Sequence, residues 1–146
     1  ARSLLADLTN RAEALREVAQ RCIATVDPAP RYAVPDLTAL GPVPNTPDEI
    51  GPYLDRLNRV AQALTIADNA YSEALTEHAD LLGLLDAYAA KARAVGIGDR
   101  DDLMTSERRA REVLGRRPAP MSVCRALVTA YQTWLTQFDP AAKDPS

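Results

Sequence analysis

One apolar row, running from Ile50 to Val95, restricts what this chain can fold into. Ile50, Leu57, Leu64, Tyr71, His78, Leu85 and Ala92 recur every seven residues, and Tyr53, Val60, Ala67, Ala74, Leu81, Tyr88 and Val95 follow each of them at +3. A repeat of that spacing predicts one long helix with a continuous buried seam. From Pro47 to Val95 such a helix measures about 70 Å at ~1.5 Å per residue. It needs shorter helices beside it along its whole length.

Punctuation along the chain supplies those helices. Leu5, Leu8, Ala12, Leu15, Ala19, Cys22 and Val26 keep a three–four spacing and predict a first helix over about 3–26. Asp27-Pro28 ends it, because proline disfavours helical geometry in the residue before it. Residues 27–45 form a proline-rich connector, expected to be extended, with Tyr32, Val34, Leu37 and Leu40 spaced to pin it down. Thr46-Pro47-Asp48-Glu49 has the pattern of a capping box with proline in the first helical turn. The long helix then continues to Gly96-Ile97-Gly98, with Gly83 as its expected point of bending or close approach. Asp99, Asp101 and Asp102 open a third helix over about 100–115, where acidic residues suit the helix dipole. Leu103, Val113 and Leu114 give its apolar face, and the Arg116-Arg117-Pro118-Ala119-Pro120 run breaks it. A last helix over about 121–138 carries Cys124, Leu127, Val128, Tyr131, Trp134, Leu135 and Phe138 as its buried stripe. Residues 139–146 read as a flexible tail.

The expected fold is therefore all-α: a single domain over 1–138, an elongated up-and-down bundle of three to four helices built on one very long central helix. A chain of 146 residues is enough for one real core. A net charge of -3 lacks the basic footprint that nucleic acid usually requires. No segment approaches the roughly 20 apolar residues of a membrane span, so any membrane link would come through segments outside this chain. The start at Ala1 reads as a processed or excised piece of a longer protein.

Chemistry-bearing residues are sparse. There is no phosphate-binding glycine loop, no nucleophile elbow and no CxxC, so no catalytic residue, cofactor or metal site is expected, and the chain reads as a non-enzyme. Cys22 and Cys124 both sit on apolar stripes, which suits two buried free thiols; a disulfide between them is the alternative. His78, the only histidine, lies on the seam and is expected to bond Tyr71 or an acid on a neighbouring helix. Tyr71, His78 and Tyr88 together form a possible ligand-binding or pH-sensitive seam. Glu73, Glu77, Asp80 and Asp86 read as a solvated or salt-bridged face. Arg108, Arg109, Arg111, Arg116, Arg117 and Arg125 gather positive charge around the third helix and the turn after it, a charged face or a candidate docking surface for an acidic protein or anionic headgroups.

In the second half, Asp80-Leu81-Leu82-Gly83-Leu84-Leu85-Asp86-Ala87-Tyr88, with Lys91-Ala92 and Ala126-Leu127-Val128-Thr129-Ala130-Tyr131-Gln132, resembles the actinobacterial GlnX family. These are membrane signalling proteins associated with a glutamine-binding lipoprotein and the soluble Ser/Thr kinase G. The resemblance implies the soluble part of an amino-acid-sensing relay, with a Ser/Thr kinase or a substrate-binding lipoprotein as partner and no catalytic residues. It implies the soluble domain of a membrane protein; the cytoplasmic side is favoured, and the extracytoplasmic side is expected if Cys22 and Cys124 form a disulfide. Two other functions fit the residues: a structural coiled-coil module that forms a homodimer, and a small-ligand sensor.

Overall fold

The computed structural model describes residues 1–141. The described residues form an all-α helical bundle of four helices. They are α1 (Arg2–Thr25), α2 (Pro47–Ala94), α3 (Asp101–Leu114) and α4 (Met121–Phe138), each within two residues of the span its punctuation predicts. The described residues pack as two compact units, residues 1–23 with 29–74, and residues 24–28 with those from 75 on.

The first unit is built on α1 and the N-terminal part of α2. Leu8, Ala12, Leu15, Ala19 and Cys22 of α1 are buried, as are Tyr53, Leu57, Leu64, Ala67 and Tyr71 of α2. Removing a leucine such as Leu57 or Leu64 from water contributes about 1.5–3 kcal/mol each. The Arg11 guanidinium donates to the Thr65 hydroxyl at 2.9 Å and ties the two helices on their outer side. The connector is fixed by its backbone more than by its side chains. The Tyr32 ring is exposed, but its N–H donates to the Tyr71 hydroxyl at 3.0 Å, and that hydroxyl donates back to the Tyr32 carbonyl at 3.0 Å. The two rings meet edge to face. Val34, Leu37 and Leu40 are half-buried. Leu37–Leu40 forms a 3₁₀ turn, an exception to the extended path expected there. Asp36 caps this turn by accepting from the amide and hydroxyl of Thr38, bonds that hold its carboxyl below the usual range.

The second unit packs the rest of α2 with α3 and α4. Its core includes Leu85, Ala89 and Ala92 of α2, Leu103, Ala110, Val113 and Leu114 of α3, and Met121, Cys124, Val128, Tyr131 and Leu135 of α4. A two-residue strand, β1 (Val26–Asp27), lies parallel to β2 (Ala119–Pro120), with Val26 opposite Ala119. Pro120 has no N–H to give the ladder, which accounts for its shortness.

Three details of α2 differ from expectation. At its start the Thr46 carbonyl accepts from the Glu49 amide at 3.2 Å in place of the reciprocal side-chain bonds of a capping box. Gly83 is not a point of close approach, because nothing lies within 4 Å of where its Cβ would be. Val95 falls outside the helix and is exposed. The end itself is a Schellman turn: Gly96 has φ 81°, its N–H reaches the Arg93 carbonyl at 3.1 Å, and the N–H of buried Ile97 reaches Ala92 at 3.0 Å.

In α4 the buried positions are narrower than the apolar ones. Met121, Cys124, Val128, Tyr131 and Leu135 form the buried row, while Leu127 and Phe138 are half-buried and Trp134 is exposed. Trp134 stacks on Phe138 at 5.6 Å, and the Arg100 guanidinium lies 4.1 Å from the Phe138 centroid. Asp139, the first residue of the expected tail, is buried. Residues 142–146 lie outside the described residues.

Two pairs of substitutions test this description. Gly96→Ala puts a side chain at a left-handed φ and is expected to destabilise by ~1 kcal/mol, while Gly83→Ala removes backbone freedom from open helix surface and is expected to stabilise by ~0.5–1 kcal/mol. The Tyr53 hydroxyl is buried without a hydrogen-bond partner, so Tyr53→Phe is expected to be neutral or to stabilise by up to ~1 kcal/mol. Tyr71→Phe loses two hydrogen bonds and is expected to cost ~1–2 kcal/mol. Urea unfolding followed by circular dichroism reads all four.

Candidate functional site

The end of α3 carries most of the charge singled out in the sequence. Leu103, Ala110, Val113 and Leu114 bury one face of this helix and turn its charged residues outward. Between positions 107 and 125 there are six arginines against two glutamates. The structure pairs most of these arginines with acids of the same unit. Arg111 donates to Glu107 at 2.8 Å and to Asp86 of α2 at 2.7 Å, and these bonds push its already high pKa further up. Glu112 accepts from Arg109 at 3.0 Å and from Arg116 at 3.3 Å. Arg125 bonds Glu77 of α2. Exposed pairs of this kind contribute about 0–1 kcal/mol each, so they shape the field more than the stability. Arg108 is exposed and has no hydrogen bond or ion pair among the described residues.

Arg117 behaves differently. Its Nη1 donates to the Leu114 carbonyl at 3.0 Å and to the Arg116 carbonyl at 2.9 Å, closing the C-terminal turn of α3. The same Leu114 carbonyl lies 2.9 Å from Nε2 of His78. A carbonyl only accepts, so His78 carries its proton on Nε2 in this contact. The last carbonyls of a helix lack intrahelical donors, and cationic or donor side chains there also suit the helix dipole. The partner of His78 is thus the end of a neighbouring helix, and neither Tyr71 nor an acid as expected.

The seam residues do not share one unit. Tyr71 belongs to the first unit, where its hydroxyl is occupied by Tyr32. His78 and Tyr88 belong to the second, His78 buried against Leu114 and Tyr88 half-buried. Cys22 and Cys124 are both free and buried, and loss of water contact pushes both thiols up. Among the described residues no group of three or more His, Cys, Asp or Glu side chains is arranged to hold a metal ion. No described helix is long and apolar enough to cross a membrane.

Asp139 is a polar residue that the sequence reading misses. Its carboxylate accepts from the Ala141 amide at 3.0 Å and lies 3.5 Å from Nζ of Lys91 on α2. A run of small and polar residues after a helix reads as a loose end. Only the Asp directly after Phe138, a cap-type residue, hints otherwise.

The shared Leu114 carbonyl makes a non-additive prediction. His78→Leu is expected to cost ~1–3 kcal/mol, and Arg117→Leu under ~1 kcal/mol, because each leaves the other donor in place. The double variant orphans the carbonyl and is expected to exceed the sum of the two by ~1 kcal/mol, read in a double-mutant cycle of urea unfolding. Comparisons with protein-family models, with curated proteins and with solved structures find no match for this chain.

Proposed function

We propose that this chain is a non-enzymatic interaction domain that binds a protein partner through the arginine-bearing end of α3 and the turn after it. The observation that carries the reading is the residual charge there. Arg108 is exposed and unpaired among the described residues, and Arg109 and Arg116 share the single carboxylate of Glu112. An acidic surface approaching this face finds guanidinium donors, and arginine suits bidentate recognition of carboxylates. The bonds of Arg111 to the Glu107 and Asp86 carboxylates and of Arg117 to the Leu114 and Arg116 carbonyls support the same reading, because they hold these parts of the site in place before a partner arrives.

The resemblance to the GlnX family extends the proposal to a signalling role. The chain would be the soluble part of a membrane-linked amino-acid-sensing relay, with a Ser/Thr kinase or a substrate-binding lipoprotein as its partner. A helix of 48 residues that contributes to the cores of two units supports a relay, since a change felt by one core is carried by the same element as the other.

Arg108→Glu/Arg109→Glu is the test, because neither side chain contributes to a core. With purified kinase and purified lipoprotein as ligands in biolayer interferometry, the wild-type chain is expected to bind one of them with an affinity that falls as salt rises. The double reversal is expected to weaken that binding at least about tenfold while stability stays within ~1 kcal/mol. Binding that is indifferent to the reversal removes this surface, and no binding to either ligand removes the relay reading.

A further inference from the structure

The first unit leaves one large apolar side chain of α2 in water. Ile66 is 58% exposed, as much as any large hydrophobic residue in the described chain. It lines a shallow, mainly apolar groove of about 390 Å³ with Ala61, Gln62 and Thr65. The residues around it on the same helix are arranged symmetrically. Seven residues before Ile66 stands Arg59, and seven after it stands Glu73. A step of seven returns to within about 20° of the same line on an α-helix, so all three lie on one face. Arg59 and Glu73 are both exposed, and neither has an ion pair or hydrogen bond among the described residues. Between them, Gln62, Ala63, Asn69 and Ala70 present short or uncharged side chains.

We propose that this face of α2 pairs with the same face of a second copy of the chain, antiparallel, about a two-fold axis at Ile66. In that arrangement Ile66 packs on Ile66 of the second copy. Each Arg59 meets a Glu73, so the pair forms twice, as an isologous contact requires. The charges choose the direction: a parallel pairing would set Arg59 against Arg59 and Glu73 against Glu73. They also set the extent. One turn further out Asp55 would meet Glu77, two acids, so the match ends at Arg59 and Glu73. An interface of four helical turns falls below the ~1,200 Å² of a stable complex, and a dissociation constant between about 10 µM and 1 mM is expected. This surface shares no residue with the arginine site, so either proposal survives failure of the other.

Sedimentation equilibrium on the whole chain, up to about 1 mM, tests the pairing. The wild-type protein is expected to show a monomer–dimer equilibrium. Ile66→Asp, Arg59→Glu and Glu73→Arg are each expected to raise the dissociation constant at least about tenfold, and Arg59→Glu/Glu73→Arg to restore it. Ile66→Cys, lying on the axis, is expected to form a disulfide-linked dimer under mild oxidation, while Met104→Cys, also at an exposed position, is not. A chain that stays monomeric throughout the range overturns the proposal, as does self-association that ignores all three single variants. Dimers weakened by Ile66→Asp but not recovered by the charge exchange overturn the antiparallel arrangement.

Discussion

A 48-residue helix keeps its place only if an apolar row is buried along most of its length, and in α2 one is, from Leu57 to Ala92, while Ile50 at its start is half-buried. Leu57, Leu64, Tyr71, His78, Leu85 and Ala92 are all buried, at intervals of seven. Isolated helices owe little of their stability to propensity alone; burial of one face supplies the rest. Everything else in the fold answers this requirement. The stripe of α1 gives the first half of the row its core, and α3 and α4 do the same for the second. The companion row changes along the helix. In the first unit Tyr53 and Ala67, three residues beyond the main row, are buried; in the second Ala89, four beyond Leu85, is buried while Tyr88 is only half so. A straight α-helix drifts by about 20° per heptad against a strict seven-residue repeat, and the shift from +3 to +4 absorbs that drift.

The two polar members of the row stand on either side of the division between the units, Tyr71 before it and His78 after it. Each spends its polar atom on backbone. Tyr71 holds both hydrogen-bonding groups of Tyr32 and so fixes where the connector crosses α2. His78 holds the last carbonyl of α3 and so fixes how far that helix extends along α2. A leucine in either place would bury as well but would accept several positions of its neighbour. A hydrogen bond to backbone accepts one, since a slip leaves a buried polar group without a partner. The row thus supplies cohesion through its leucines and register through its tyrosine and histidine.

This division also explains which features of the fold are legible in the amino-acid sequence. Helix limits were legible because proline, glycine and capping residues act locally, and the Gly96 turn is a clear case. The buried stripes of α1 and α2 were legible because a long helix samples its period many times. Over the five turns of α4, the apolar residues cover more than one face, and periodicity alone did not show that Trp134 lies outside while Met121 lies inside. The partner of His78 was not legible at all. It is a main-chain carbonyl 36 residues away, and a carbonyl leaves no mark on the sequence. Asp139 was hidden for a related reason, because its burial depends on Lys91 and on the packing of α4.

Charge shows the same limit from the other side. Six arginines between positions 107 and 125 read as one strong positive surface. In the fold, Asp86 and Glu77 come from α2 to meet Arg111 and Arg125, and Glu107 and Glu112 take a further share within α3. Counting charge along the chain sums over neighbours in sequence, whereas the field at the surface is set by neighbours in space. The distinction changes which residues matter. Arg111 and Arg117 are most occupied and therefore most structural; the charge of Arg108 meets no ion-pair partner among the described residues. The same reasoning applies at Arg59 and Glu73, two opposite charges on one face that a single helix cannot bring together. Their separation of fourteen residues is about 21 Å at ~1.5 Å per residue, too far for a bond between them, and the antiparallel pairing proposed above would satisfy both.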